Sequence, residues 1–258
     1  MAKTFKNFIA GAWTAPSTGT YFENRNPANT RDLIGRFPES SARDVARAVA
    51  AAKQGFERWS RVPAPARGDI LRRIGDALVD RKEALANAMT REMGKVLAET
   101  RGDVQEAIDT AYYAASEGRR LFGHVVPSEL KRKWAMSYRR PIGVVGIVTP
   151  FNFPLAIPTW KMFPALLCGN SVVLKPSEDV PHTSSLLVEI LLEAGLPPEA
   201  IQLVHGKGAV GQALVEHPDV AAISFTGSVS TGRRVAAACV TATPMNKVQL
   251  EMGGKNPV

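Results

Sequence analysis

Long apolar runs are missing from this sequence. No stretch approaches the roughly eighteen residues needed to cross a bilayer, so no membrane-spanning helix is expected. The opening MAKTFKNFIAGAW lacks the apolar core of a secretory leader. Cysteine is scarce, with only Cys168 and Cys239 in 258 residues. Two cysteines cannot build a disulfide framework, and a reducing cytoplasm is the default for such a chain. No metal site is expected. Acidic residues are outnumbered, 24 against 32 Lys and Arg, which leaves a formal charge of +8. Much of the excess falls on Arg119, Arg120, Lys131, Arg132, Lys133, Arg139 and Arg140. No nucleic-acid recognition motif accompanies them. They read as a solvated face or arm, or as the counterpart of an acidic segment elsewhere, and no nucleic-acid partner is expected.

What is present is 45% hydrophobic residues, enough for one large domain or two small ones. Between Gly143 and Glu251 one phrase repeats: a short apolar run, a turn, then a helical pattern. The runs are Val144 to Val148, Ser171 to Leu174, Ile201 to Val204, Val220 to Phe225 and Lys247 to Leu250. The first four are mostly continuous, as strands buried on both faces are. In the fifth, Lys247 and Gln249 alternate with Val248 and Leu250, which suits a more exposed strand. Helical stretches separate most of the runs, so a Rossmann-like, five-stranded parallel α/β sheet with flanking helices is predicted.

Ahead of it, residues 5 to 38 read as an irregular or short-strand lead-in. A helix starts at Ser40 or Ser41, where Ser41 and Asp44 have the spacing of a capping box. Val45, Val49, Ala52, Phe56 and Trp59 follow at helical spacing. Ile70, Ile74 and Leu78 mark a second helix, and Leu85, Met89 and Met93, ended by Gly94, a third. Val104, Ile108, Tyr112 and Ala115 mark a fourth. All are read as core packing, and no catalytic cluster shows in this half. Residues 123 to 141, with Pro127 and Met136-Ser137-Tyr138, read as a strand or hairpin: a surface feature, or an arm reaching another subunit. The expected divisions are a helical segment 1–122, the arm-like segment 123–141 and the sheet segment 142–258.

Doubly wound sheets bind ligands beyond the carboxyl ends of their strands. Those ends carry Thr149-Pro150-Phe151-Asn152, Lys175-Pro176-Ser177-Glu178, His205-Gly206, Thr226-Gly227-Ser228 and Glu251-Met252-Gly253-Gly254. Each has two readings. Asn152 offers an amide to an oxyanion, or satisfies turn backbone. Lys175 and Glu178 stand where a dinucleotide's ribose is read, or form a surface ion pair. Ser228 aids phosphate at a helix start, or caps the helix. Glu251 is a general base, or a charge facing water. Lys161 reaches a ribose or a carboxylate, or is solvated. Gly206 to Gly211 match G-x-G-x-x-G, but on the third strand unit and with no acidic residue after the next strand. The glycines, Gly208 among them, are read as a turn beside an adenine rather than a pyrophosphate cradle.

The ordered set FIAGAW, NPAN, REMGK, TPFNFP, WK, GNSVVLKPSE, FTGS and LEMGGK resembles the aldehyde dehydrogenase superfamily over essentially the whole chain. The resemblance is to its N-terminal, cofactor-binding portion, and within the family to the bacterial semialdehyde-oxidising members. It implies oxidation of an aldehyde to an acid with NAD, or alternatively NADP, in a homo-oligomer. By the same resemblance Asn152 is the oxyanion amide and Glu251 the base for thioester hydrolysis. Lys175 and Glu178 contact the adenosine ribose, Ser228 the pyrophosphate, and Lys161 lies near the nicotinamide ribose. Thr149, Pro150, Phe151, Ser177, Gly208, Phe225, Gly227 and Met252 join the cofactor set. Residues 123 to 141 match the start of the oligomerisation arm. The family's cysteine nucleophile lies beyond Val258, so the catalytic domain is expected to be absent and these 258 residues inactive. The alternative is a non-catalytic dinucleotide-binding module. Cys168 and Cys239 each end a helix on the amino edge of the sheet. At 1.5 Å per helical residue, Cys168 falls roughly 20 Å from Asn152 and cannot substitute.

Overall fold

The computed structural model describes residues 3–254. Four short strands open the chain: β1 (Asn7–Ile9), β2 (Ala12–Thr14), β3 (Tyr21–Arg25) and β4 (Leu33–Pro38). Helices α1 (Ala42–Trp59), α2 (Ala64–Asp80), α3 (Lys82–Met93) and α4 (Leu97–Glu117) follow. A ribbon of β5 (Val125–Val126) and β6 (Ala135–Met136) leads into the repeating part. That part runs β7 (Val144–Val148), α5 (Ala156–Leu167), β8 (Ser171–Lys175), α6 (Pro181–Glu193), β9 (Ile201–Leu203), α7 (Gly208–Val215), β10 (Val220–Thr226), α8 (Val229–Thr241) and β11 (Lys247–Glu251). Lys255 of LEMGGK and the end of the 142–258 segment lie outside the described residues.

The fold is α/β, and the five parallel strands stand where the apolar runs predict them. The sheet is wider than predicted, with seven strands in the order β11-β10-β7-β8-β9-β1-β2. The lead-in adds two antiparallel strands to the β9 edge, Phe8 pairing with Leu203 and Trp13. Strands of three residues are too short to show a period, so only the free edge of β9 reveals their place. From β7 the chain steps outward to β8 and β9, then crosses back to β10 and β11. The order therefore reverses between β7 and β10, where a doubly wound sheet opens a crevice. β11 is an edge strand, mostly exposed, as its alternating pattern suggests.

Side chains alternate across the sheet, and each face has its own core. On one face, Val145, Ile147, Val172 and Leu174 pack with residues of α2, α4, α5 and α6. On the other, Val144, Val173, Ile223 and Phe225 pack with residues of α1, α7 and α8. The Ser41–Asp44 capping box is present: the Asp44 carboxylate accepts from Ser41 N–H at 3.0 Å and from Ser17 N–H at 3.0 Å. α3 ends at Gly94 with φ +78°, a left-handed conformation suited to glycine. One expected core residue departs. Tyr112 is 37% exposed, with its hydroxyl donating to Asp76 at 2.8 Å. A tyrosine at the outer edge of a helical stripe keeps its ring on the neighbouring helix and its polar tip wet.

Long-range polar contacts tie the elements together. Arg67, buried on α2, donates to the Leu167 carbonyl at the end of α5 at 2.7 Å. Asn170 holds the start of β7 by accepting from the Ile142 N–H at 2.7 Å.

Candidate active site

Parallel register sets the level of the strand ends. Lys175, Val148, Phe225 and Leu250 form one lateral row across β8, β7, β10 and β11. One residue further on, Thr226 pairs with Glu251. Adjacent strands lie about 4.8 Å apart, so Glu251 ends its strand roughly 10 Å from the end of β7, the strand that leads to Asn152.

On the α7–α8 face of this row is a groove of about 670 Å³, within the size range of small-molecule sites. Lys175, Gly208 and Phe225, three of the sequence candidates, line it. Val148 forms its floor with Phe225, while Val215, Val235 and Ala238 make it largely apolar. Gly206, just before α7, has φ +142°, and a Cβ there would lie 2.5 Å from a Val210 methyl. Only glycine suits that turn. Gly208 has open space where a Cβ would be, which lets a flat ligand approach the backbone. Gly227 precedes α8, and its N–H donates to the Glu251 carbonyl at 3.1 Å. Ser228 caps α8, accepting from the Thr231 N–H at 3.3 Å. Thr231 and Arg234 on α8 also line the groove and were not legible as site residues. The basic pair Arg233-Arg234 early in that helix was the available signal. These parts fit a dinucleotide: an apolar slot for a base, a buried lysine, and a helix start that favours phosphate.

The loop after β8 splits between two cavities. Lys175 is buried and donates to Glu178 at 3.2 Å. Burial lowers its pKa, opposed by the Glu178 charge. Ser177 spends its hydroxyl within the turn, accepting from the Asp179 N–H at 3.3 Å. Glu178 and Phe151 line a smaller cavity of about 330 Å³ with Arg25, Glu92 and Asp179. Thr149 donates its N–H to the Lys175 carbonyl at 3.3 Å, while its hydroxyl is buried with no protein partner among the described residues. Pro150 is half-buried, and Met252 packs on Gly232 of α8.

The opposite face holds the other candidates. Ser224 and Gln249 alternate with Phe225 and Leu250, so they point away from the groove. Lys161, on α5, donates to Gln249 at 2.8 Å and to Ser224 at 3.1 Å. It therefore lies across the sheet from the groove. Burial lowers its pKa to about 8, opposed by the charge of Glu251. Gln249 in turn donates to the exposed Glu251 carboxylate at 3.0 Å. Asn152 is exposed at the head of the loop that enters α5. Phe153 and Trp160 stack beside it, ring centres 6.4 Å apart.

The helical half contributes two buried carboxylates that hold helix starts. Glu92, buried on α3, accepts from the His182 and Thr183 N–H groups at 2.6 and 2.9 Å, capping α6. Burial pushes its pKa up to about 7 against those hydrogen bonds. Asp103, buried on α4, accepts from the Ala156 N–H at 2.7 Å at the start of α5. Burial raises it to about 6, with the Ala156 hydrogen bond and the Lys95 charge opposing. Their partners lie more than fifty residues away, so no local pattern marks them. The cysteines sit as expected at helix ends. Cys168 follows the last residue of α5, and Cys239 is buried near the end of α8. Burial raises both thiol pKa values.

The model of the aldehyde dehydrogenase family matches residues 13–258. An alpha-ketoglutaric semialdehyde dehydrogenase of Bacillus subtilis is 43% identical over 256 residues, covering 99% of this chain and 52% of the relative. A malonate-semialdehyde dehydrogenase of Lacticaseibacillus casei is 44% identical over 234 residues, covering 90% of this chain and 47% of the relative. The crystal structure of an NAD-dependent aldehyde dehydrogenase from Sinorhizobium meliloti superposes with a TM-score of 0.94 at 34% identity. That match covers 100% of this chain and 51% of the other. The chain thus spans about half the length of the curated relatives it matches.

Proposed function

The chain belongs to the aldehyde dehydrogenase family, and on that ground we propose that it provides the cofactor site, the oxyanion donor and the general base for oxidising an aldehyde to a carboxylic acid. The substrate class is a semialdehyde, the chemistry named for two of its relatives. The carrying observation is the level of the strand ends. The Glu251 strand end, the loop bearing Asn152 and the groove with Lys175 meet at one carboxyl edge, where the strand order reverses.

In this reading Phe225, Val148 and Gly208 receive the adenine, Lys175 and Glu178 the ribose, and Ser228 with the α8 N-terminus the pyrophosphate. Thr149, Pro150, Phe151, Ser177, Gly227 and Met252 shape the same edge, and Lys161 serves from the opposite face. When bound, NAD or NADP supplies the hydride acceptor. A thiolate from outside these 258 residues adds to the aldehyde carbon, and the Asn152 amide donates to the oxygen as it gains charge. After oxidation to the thioester, the Glu251 carboxylate takes a proton from water. The hydroxide equivalent adds to the carbonyl, and the thiolate leaves as the acid forms. Residues 1–122 and 142–258 form one cofactor-binding unit, with 123–141 as an arm between subunits of a homo-oligomer. The arm reading is supported by the exposure of Val125, Trp134, Met136 and Tyr138 on the ribbon.

The test is Glu251→Gln in a protein that carries the thiolate. The expected result is a pre-steady-state burst of NAD(P)H followed by slow turnover, because hydride transfer precedes the step needing the base. Loss of hydride transfer without a burst would remove Glu251 from this role.

A further inference from the structure

The loop from Asn152 to Ala156 is held at both ends by the helical half of the chain. The left-handed Gly94 turns the chain after α3, and Lys95 follows it directly. The Lys95 ammonium donates to the main-chain oxygen of Asn152 at 2.6 Å. It also lies 3.8 Å from the centre of the Phe153 ring, within cation–π range. At the other end, Asp103 accepts from the Ala156 N–H at 2.7 Å. Leu155, at the position before α5, supplies no side-chain cap of its own. The first turn of α5 therefore takes its cap from α4.

The consequence for Asn152 follows from its short side chain. Two torsions separate its amide from its Cα, so the few positions the amide can reach are set by where the backbone at 152 stands. A cation on that residue's own carbonyl fixes the peptide plane. A carboxylate at the helix start four residues later fixes where the loop ends. Neither Lys95 nor Asp103 lines the α7–α8 groove. Loss of either should leave the adenine end of the cofactor undisturbed.

We propose that Lys95 and Asp103 are positioning residues for the Asn152 amide, Lys95 by holding its carbonyl and Asp103 by anchoring the start of α5. The inference rests on the proposed role of Asn152 as oxyanion donor, and neither residue touches the reacting atoms. Misplacing a catalytic group by an ångström costs up to about a hundredfold in rate, so the effect belongs in kcat rather than in cofactor binding.

The experiment is a double-mutant cycle in the complete, thiolate-bearing protein, read by the first-turnover rate of NAD(P)H formation. The variants are Lys95→Met, Lys95→Arg, Asn152→Ala and the Lys95→Met/Asn152→Ala pair. Lys95→Met should slow hydride transfer about tenfold or more, with cofactor KM changed less than about twofold. Lys95→Arg should recover most of the rate. The paired variant should be no slower than Asn152→Ala alone, because residues acting through one group are not additive. A wild-type rate for Lys95→Met, or a fully additive loss in the pair, overturns the proposal. If Asn152→Ala itself turns over normally, the oxyanion reading fails; if it is slow while Lys95→Met is not, only the positioning fails. Should Lys95→Met not fold, Asp103 decides. Asp103→Asn keeps an acceptor for the Ala156 N–H and should retain the rate. Asp103→Leu removes that acceptor and should slow hydride transfer without adding to the Asn152→Ala loss. Equal rates for these two variants count against the proposal.

Discussion

Lys175 and Glu178 meet across one turn of chain, the ammonium 3.2 Å from the carboxylate, with the lysine side chain 6% exposed and the glutamate 38%. The pair sits at the carboxyl end of β8, where the groove receives Lys175 and the smaller cavity receives Glu178. In the proposed ribose site a carboxylate there would accept from a 2′-hydroxyl and repel a 2′-phosphate. The expected preference is NAD over NADP, and Glu178→Ser should shift the ratio of kcat/KM values toward NADP by about tenfold or more. Steady-state kinetics with both cofactors in the complete protein decide this. An NADP preference in the unaltered protein would show that Lys175 and Ser177 dominate instead.

Asn152→Ala should lower kcat by about a hundredfold or more, the usual loss when one oxyanion donor is removed. Aldehyde KM should change far less, because the charge it stabilises develops only in the transition state. A kcat close to that of the unaltered protein would return Asn152 to a turn-forming role.

Residues 1–258 purified by themselves should show no NADH formation with short aldehydes or semialdehydes. Cys168 lies past the far end of α5 and Cys239 is fully buried, each with its thiol pKa raised by burial. A raised pKa leaves less of the thiolate that attacks carbonyl carbon. Turnover abolished by Cys168→Ser would mean that this thiol does reach the substrate. Turnover surviving both serine substitutions would mean a different mechanism.

His205 gives a prediction about acid stability. It is buried beyond β9, with Nε2 3.2 Å from the Ser185 hydroxyl. Burial, helped by the Lys175 charge, lowers its pKa from 6.5 to about 3. Between those values the unfolded chain binds a proton that the folded chain does not, so stability falls as pH falls through 6.5 toward 3. Integrating that difference from pH 7 to pH 5 gives a loss on the order of 2 kcal/mol. Urea unfolding of the protein and of His205→Gln at the two pH values should show a shallower pH slope for the variant. Parallel slopes would mean that His205 charges in the folded state. Comparing the slopes isolates His205 from His182, which burial also lowers, to about 4.

Much of the fold is written locally in the chain. The run from Val144 to Val148 is apolar without alternation because both of its faces are covered, so its composition alone marks it as an inner strand. Ser41 with Asp44 marks a helix start because the capping bonds close within three residues. Lys175, Gly208 and Phe225 could be picked out because turn residues directly follow or adjoin a recognisable strand. Tertiary structure decided the rest. The place of β1 and β2 depends on an edge of β9 nearly two hundred residues later. The second wall of the groove, with Thr231 and Arg234, exists only once α8 packs beside α7. Which face of the sheet Lys161 occupies follows from α5 packing back over β7 and β8, from where its ammonium reaches Ser224 and Gln249 on the neighbouring strands. The contacts of Arg67, Glu92, Lys95 and Asp103 with distant backbone carry no periodic signature, because a charged side chain finds its partner in space and not along the chain.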